Sequence, residues 1–246
     1  MGLHIKRRPP RSKLRALVGA KIVALRRHGK YLLVDTDTPE SLLVHLGMTG
    51  RFCIHRKQAK RATHTHLVLG LGAARELRFT DARRFGQIDV FTRAAEREHP
   101  ALAVLGPDAL DTGIDPVVLR EEAHARRTSL KAFVLDQSVI AGVGNIYASE
   151  ALWRAQLRPS KRTRRLTVDG AKRLVEAIRE VIDNALVNGG TTLSDFVDAD
   201  GTAGDNAEYL WVYDRAGKPC LRCETVIRRS VLQGRATYYC PTCQTP

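Results

Sequence analysis

The strongest constraint on this 246-residue chain lies at its C-terminal end, where Cys220-Leu-Arg-Cys223 is followed after sixteen residues by Cys240-Pro-Thr-Cys243. Two Cys-x-x-Cys knuckles at this separation read as a structural four-cysteine zinc site: each tight turn supplies two thiolates, and four soft sulfurs close a tetrahedron. Between them, 225–230 and 235–239 read as two strands around a turn at Gln233-Gly234. The result is a zinc ribbon, a hairpin too small to hold a core without its metal. Two disulfides are the alternative, but paired knuckles fit a metal better, and no secretory signal precedes them. With no open coordination position, one Zn2+ would shape a surface and perform no chemistry.

Charge indicates what that surface meets. The chain carries 40 Lys and Arg against 26 Asp and Glu, a net charge of +14, and its pI is near 10.0. Such a balance beside a zinc ribbon points to a phosphate polyanion, above all nucleic acid. No run of apolar residues is long enough for a membrane span. The fifth cysteine, Cys53, sits among apolar residues and reads as a packed thiol. The expected setting is a reducing bacterial cytosol, with the protein associated with the nucleoid.

Periodicity divides the rest. After a basic opening with Pro9-Pro10 and at most two helical turns over 12–18, short apolar runs at 21–25, 30–34, 41–46, 51–54, 66–69, 76–80 and 87–91 are separated by turn signals. That spacing predicts an antiparallel β-sandwich or barrel. Beyond it the pattern turns helical. Asp115 can cap a helix with Pro116 at its first position, and Thr128 or Ser129 can open another through Val134. Further helices are expected over 146–155 and 167–187; the last shows one apolar face of Leu174, Ile178, Val181, Ile182 and Ala185. The expected organisation is α+β multidomain: an antiparallel β-sandwich over 1–112, a helical domain over 113–204 and the ribbon over 205–246.

Gly142-Val-Gly144-Asn145 leads into one of these helices. Free N–H groups at a helix start favour an anion, glycine lets the backbone approach a phosphate, and Asn145 can add an amide donor. Neither a P-loop nor a dinucleotide fingerprint fits. Such a crossing alone is more often an interhelical turn; on a basic zinc-ribbon chain it favours phosphate.

Together, Gly142-Val-Gly-Asn-Ile-Tyr-Ala-Ser-Glu150, His45-Leu-Gly-Met-Thr-Gly50, Asp81-Ala-Arg-Arg-Phe-Gly86, Gly189-Gly-Thr-Thr-Leu193 and the ribbon closely resemble the formamidopyrimidine-DNA glycosylases with their helix–two-turn–helix domain. The motifs stand in the family's order, and the resemblance runs from about Gly19 to the end. It implies a base-excision-repair DNA glycosylase and AP lyase that removes oxidised purines, 8-oxoguanine and formamidopyrimidine, from double-stranded DNA by flipping the damaged nucleotide. By the same resemblance Met48 and Phe85 fill and kink the stack while Arg83 reads the orphaned base. These residue types suit the task, since apolar wedges unstack bases and arginine donates to base edges. Lys30, Asn145 and Arg235 correspond to a phosphate clamp, which Arg84 joins. Glu150 matches a glutamate associated with the active centre, though a helix-surface position would suit it equally, and 194–206 aligns with a lid over the damaged base. DNA with oxidised bases or abasic sites is the expected partner of a monomeric protein.

One part of the family pattern is not found. The family starts Pro-Glu-Leu-Pro-Glu-Val-Glu, and the proline amine attacks the sugar to form a Schiff base while the glutamate moves protons. An α-amine suits this role because its pKa, about 7.7–8.0, leaves more free base at neutral pH than a lysine has. This chain reads Met-Gly-Leu-His-Ile-Lys and aligns inside the family's sequence, so neither residue is present, no nucleophile is assigned, and apolar surface should be exposed on the sandwich. The alternative is a catalytically deficient protein that binds damaged or abasic DNA, with weak lyase activity from Lys30 or Lys131. A zinc-ribbon adaptor without damage specificity would have no use for the wedge.

Overall fold

The computed structural model describes residues 9–193 and 196–245. The basic residues 1–8, and Ser194 at the start of the expected lid, lie outside them. Packing divides the chain into two compact units, Met1–Ala103 with Asn188–Ala207, and Val104–Val187 with Glu208–Pro246. The second unit collects the helical stretch and the ribbon together. Residues 188–204, counted with the helices in sequence, pack with the strands.

The first unit opens with a short helix, α1 (Arg11–Arg15), shorter than the two turns expected because backbone turns take over before Gly19 at φ 83°. Seven strands follow: β1 (Ile22–His28), β2 (Tyr31–Thr36), β3 (Glu40–His45), β4 (Gly50–Arg56), β5 (Thr65–Leu71), β6 (Arg75–Asp81) and β7 (Gln87–Thr92). All ladders are antiparallel, in sheets ordered β1-β2-β3-β7 and β4-β6-β5. Alternation along each strand sends one set of side chains inward. Val34, Leu42, Val44, Ile88 and Val90 thus meet Phe79, with Phe52, Leu67 and Leu69 packed against them. Leu33, Leu43 and Phe91 form a smaller cluster with Ala101.

The apolar surface expected on the sandwich is there. Strand β1 is an edge strand, and its Ile22, Val23 and Leu25 are exposed. A groove of about 550 Å³ lies beside it, lined in part by Leu14, Leu17, Leu69, Leu71 and Leu77.

The second unit contains α2 (Pro116–Ala125), α3 (Leu130–Leu135), α4 (Asn145–Arg154) and α5 (Val168–Val187), then the hairpin of β8 (Arg228–Leu232) and β9 (Arg235–Tyr239). The cap of α2 forms as expected, with Val117 N–H donating to Asp115 Oδ1 at 2.7 Å. Ser129 caps α3 through Ala132 N–H. Leu130, Phe133 and Val134 pack with Ala148, Ala151 and Leu152 of α4 and with Leu174, Ile178 and Val181 of α5. Among the described residues no helix is long and apolar enough to cross a membrane.

Candidate nucleic-acid interface and zinc centre

Strand register gathers the first group of candidates. Tyr31 pairs with His45, His45 with Gln87, and Gly50 with Asp81. The β1–β2, β3–β4 and β6–β7 connections therefore open at one end of the sandwich, and these three turns carry Lys30, Met48, and Arg83-Arg84-Phe85. The wedge candidates are exposed where core residues would not be: Met48 is 64% and Phe85 45% exposed. The Arg83 guanidinium lies 4.9 Å from the centroid of the Phe85 ring, a cation–π contact that holds both side chains together. Arg84 takes a left-handed φ of 60°. Lys30 is exposed, and its charge helps burial to hold His45 below its ordinary range. A neutral His45 ring then accepts from Gly47 N–H through Nδ1 at 3.1 Å.

Two buried groups lock these turns. Asp81 is fully buried and accepts from Thr49 Oγ1 and, at 2.7 Å, from Gly86 N–H. Gly47 has φ 67°, and a Cβ there would stand 2.7 Å from Gly86 N and from the Phe85 carbonyl carbon. The Met48 and Phe85 turns touch backbone to backbone, so only glycine fits at position 47. Asp81 and Gly86 were legible only as ends of a motif.

In the second unit, Gln137 braces the glycine crossing. Its amide donates to the Leu135 and Val143 carbonyls and accepts from Gly142 N–H at 3.0 Å, while Gly142 takes φ 108°. Asn145 opens α4 as expected. Its side-chain amide, however, is spent on the ribbon, donating to Ala236 O at 3.1 Å and to the Tyr213 hydroxyl at 3.4 Å. Arg235 begins β9 and is exposed, directly after a two-residue turn in which Gln233 and Gly234 both have positive φ. This is the turn geometry that matches strand twist, and it throws the following side chain outward.

Two expectations change here. Lys131 is not an available amine: it is 1% exposed, and its ammonium donates to Ala236 O at 2.7 Å and to Thr237 Oγ1 at 2.8 Å. Burial, with the nearby Arg235 charge, lowers its pKa to about 8, but its task is to tie α3 to the ribbon. Glu150 is neither on a helix surface nor open to a substrate. It is buried, and its carboxylate accepts from the backbone N–H groups of Trp211, Val212 and Tyr213 at 2.7–2.9 Å. Burial pushes its carboxyl above the usual range against the pull of these donors. Glu150 is thus a clamp on the chain entering the ribbon. In sequence nothing separated it from an ordinary helix-face glutamate.

The four ribbon cysteines converge as expected. Their sulfurs all lie within 4.8 Å of one another, with Cys223 Sγ 3.4 Å from Cys240 Sγ and 3.3 Å from Cys243 Sγ. Zn–S bonds of about 2.3 Å at tetrahedral angles require S···S edges of about 3.8 Å, so the set fits one structural Zn2+. Donors surround it: Trp153 Nε1–H and Arg222 N–H point at Cys220 Sγ, and Cys243 N–H at Cys240 Sγ. Such donors stabilise thiolate charge and fix ligand orientation. Trp153, Val212, Ile227 and Tyr238 pack against the knuckles, so the ribbon rests on α4. Strand β8 begins later than 225 because Glu224 takes φ 61° and Pro219 bridges Val226. Cys53 is a buried thiol donating to Asp198 O, and burial raises its pKa.

Segment 188–207 docks on the free edge of β4, with Ile54 N–H donating to Ala199 O at 2.8 Å. Its ends are pinned by Gly204, whose Cβ would meet Gly189 O at 2.2 Å.

Three family models match this chain: the formamidopyrimidine-DNA glycosylase N-terminal domain over residues 4–88, the H2TH domain of the same family over 105–197, and the zinc finger found in FPG and IleRS over 217–246. The formamidopyrimidine-DNA glycosylase of Heliobacterium modesticaldum is 43% identical over 233 residues, 93% of this chain and 84% of the relative. That of Thioalkalivibrio sulfidiphilus is 42% identical over 228 residues, 93% of this chain and 83% of the relative. Among solved structures, the MutM (Fpg) protein of Thermus thermophilus superposes with a TM-score of 0.84 at 41% identity, covering 92% of this chain and 84% of that one. Lactococcus lactis Fpg in complex with DNA containing an abasic site gives 0.86 at 30% identity, covering 93% and 83%. On sequence, fold and site together, the chain belongs to the formamidopyrimidine-DNA glycosylase family.

Proposed function

We propose that this protein is a base-excision-repair DNA glycosylase and AP lyase acting on oxidised purines in duplex DNA. The observation that carries the reading is the end of the sandwich, where Met48 and Phe85 stand exposed on turns that buried Asp81 and glycine contacts hold rigid. Large apolar side chains cost free energy in water unless they have something to enter. A base stack with one nucleotide removed is such a place, and Arg83, stacked on Phe85, brings donors for the orphaned base. In the first unit, Lys30 and Arg84, exposed on turns, supply positive charge for phosphates; in the second, exposed Arg235 and the start of α4 at Asn145 offer charge and N–H donors for phosphates of the duplex. The ligands of solved relatives agree in kind: Lactococcus lactis Fpg was solved with abasic-site DNA and MutM with DNA containing carbocyclic 8-oxo-G. On this reading the protein works as a monomer on the nucleoid of a bacterial cytosol, and 196–206 closes over the extruded base.

The test is binding to a duplex with a central abasic site, in salt titrations. Arg235→Ala should weaken binding and lower the slope of log affinity against log salt by about 0.9, one phosphate. Met48→Ala with Phe85→Ala should reduce the preference for abasic over intact duplex and leave the salt slope alone. An unchanged preference in the double variant would remove the wedge from the proposal. Borohydride trapping on abasic and 8-oxoguanine duplexes reports Schiff-base chemistry directly; Lys131→Met should leave the yield of adduct unchanged, because that amine is buried.

A further inference from the structure

From Ser41 to Arg75 the sequence contains no aspartate or glutamate, while Arg51, Arg56, Lys57, Lys60, Arg61 and Arg75 fall within it. Four of these cations, at 56, 57, 60 and 61, cluster where β4 leads into its connection to β5, and residues 56–64 are all exposed. A run of charge like this is ordinarily a floppy, solvated loop. Here it is built into the sheet. The outward face of β4-β6-β5 places His55 opposite Glu76 and Cys53 opposite Arg78, and the connection crosses over that face. Arg78 is 2% exposed and donates to the carbonyls of Ala59 at 2.6 Å, Lys60 at 3.0 Å and Arg56 at 3.4 Å. Glu76, also buried, neutralises it at 2.6 Å. Lys57 N–H donates to Ala74 O at one end, and His64 O accepts from Asp81 N–H at the other.

The loop's carbonyls are therefore turned inward onto one buried guanidinium, and its backbone is held at three points along its length. Glu76, the nearest acid on the face beneath, is used by Arg78; Arg61 approaches it at 3.6 Å with its own side chain still 62% exposed. The acids of the docked segment, Asp198 and Asp200, lie by the free edge of β4, where Ala199 O meets Ile54. What remains is a cluster of four exposed cations on a rigid support, which starts at the far end of β4, about 20 Å from the Gly50 end of that strand. From it the connection runs on to His64 beside Asp81, the residue that locks the Met48 and Phe85 turns.

We infer that residues 56–61 form a second phosphate-binding surface, which engages the backbone of duplex DNA flanking the lesion. At 3.4 Å per base pair, the length of β4 that separates the cluster from the wedge end corresponds to about six base pairs. It contacts no base, so it adds affinity and scanning contact without adding lesion specificity. The inference rests on the DNA-repair reading but concerns DNA outside the damaged nucleotide.

The experiment compares wild type with R56Q/K57Q/K60Q/R61Q on abasic and on intact duplexes of about 10 and about 30 base pairs across a salt titration. Wild type should bind the long duplexes more tightly than the short ones. The variant should lose that advantage, with the salt slope on long duplexes lower by about 3, and should bind the short abasic duplex within about twofold of wild type. R56K/R61K, which keeps every charge, should behave as wild type. An unchanged slope and length dependence would overturn the proposal, as would an equal loss on short and long duplexes. Binding of the variant to DNA as in wild type, with loss instead of affinity for RNA or an acidic peptide, would also overturn it. Failure of wild type to prefer abasic over intact duplex would instead count against the repair reading, and the length dependence on intact duplex is measured independently of it.

Discussion

At the scale of single residues, the candidate interface depends on a few positions where backbone geometry leaves no choice. Gly47 and Gly72 have nearly the same φ, 67° and 68°, but a Cβ on Gly72 meets nothing within 4 Å while one on Gly47 runs into the Phe85–Gly86 backbone. Gly72→Ala should therefore cost only the left-handed backbone penalty, about 1 kcal/mol. Gly47→Ala should cost about 2–4 kcal/mol and displace Met48 from Phe85. Denaturant unfolding of the two variants gives the difference, and abasic-duplex affinity should fall in Gly47→Ala alone; equal unfolding midpoints would mean that the two turns are not locked. The same scale shows where residue identity misled. Lys131 and Glu150 look like chemistry in sequence, but both are buried and bonded to backbone, one lashing the ribbon to α3 and the other to α4.

At the scale of elements, the ribbon is the part with least of its own to stand on. Two five-residue strands joined by a two-residue turn are marginal alone, and the hairpin's inner side is made largely of the cysteines with Trp153, Val212 and Ile227. Without metal, four sulfurs within 4.8 Å of one another would be left to repel or to oxidise. Removal of zinc by a chelator should thus unfold β8–β9 while α5, with its core of Leu174, Ile178 and Val181, persists. Trp153 reports the event because its indole donates to Cys220 Sγ at 3.4 Å. Its fluorescence should change with metal loss, far-UV helical signal should fall little, and duplex affinity should drop at least as far as in Arg235→Ala. DNA affinity that survives metal loss would separate the ribbon from binding.

At the scale of the whole molecule, the two compact units carry carboxylates of opposite behaviour. In the sandwich, Asp35 and Glu96 are held below the usual range by hydrogen bonds from Arg26, and Glu76 by Arg78. Their folded pKa values lie under the unfolded ones, so the unfolded chain binds more protons as pH falls through that range, and the stability they contribute is lost. Glu150 in the second unit is raised by burial, which makes the folded state the better proton acceptor and stabilises it as pH falls. Acidification should unfold the sandwich first. Both tryptophans, Trp153 and Trp211, lie in the second unit, so the loss of β-sheet signal should precede the change in tryptophan fluorescence. Coincident transitions would show the two units to be one cooperative system.

Local chemistry was enough to read the elements from the chain. Alternating apolar runs placed all seven strands, Asp115-Pro116 placed a helix start, and knuckle spacing placed the metal site, because each depends on neighbours within a few residues. Ordered motifs, read by resemblance, carried the family and the wedge residues. What the tertiary structure decided was which of these residues stand free. Strand register brings three turns distant in sequence to one end of the sandwich, and no local pattern encodes that convergence. Burial took Lys131 and Glu150 out of reach and committed the amide of Asn145 to the ribbon. A buried Arg78–Glu76 pair, separated by a single residue and ordinary in sequence, turned the cations of 56–61 from a solvated run into a supported surface. Side-chain type sets what a residue can do, but solvent access and partners, which long-range packing alone supplies, set what it does.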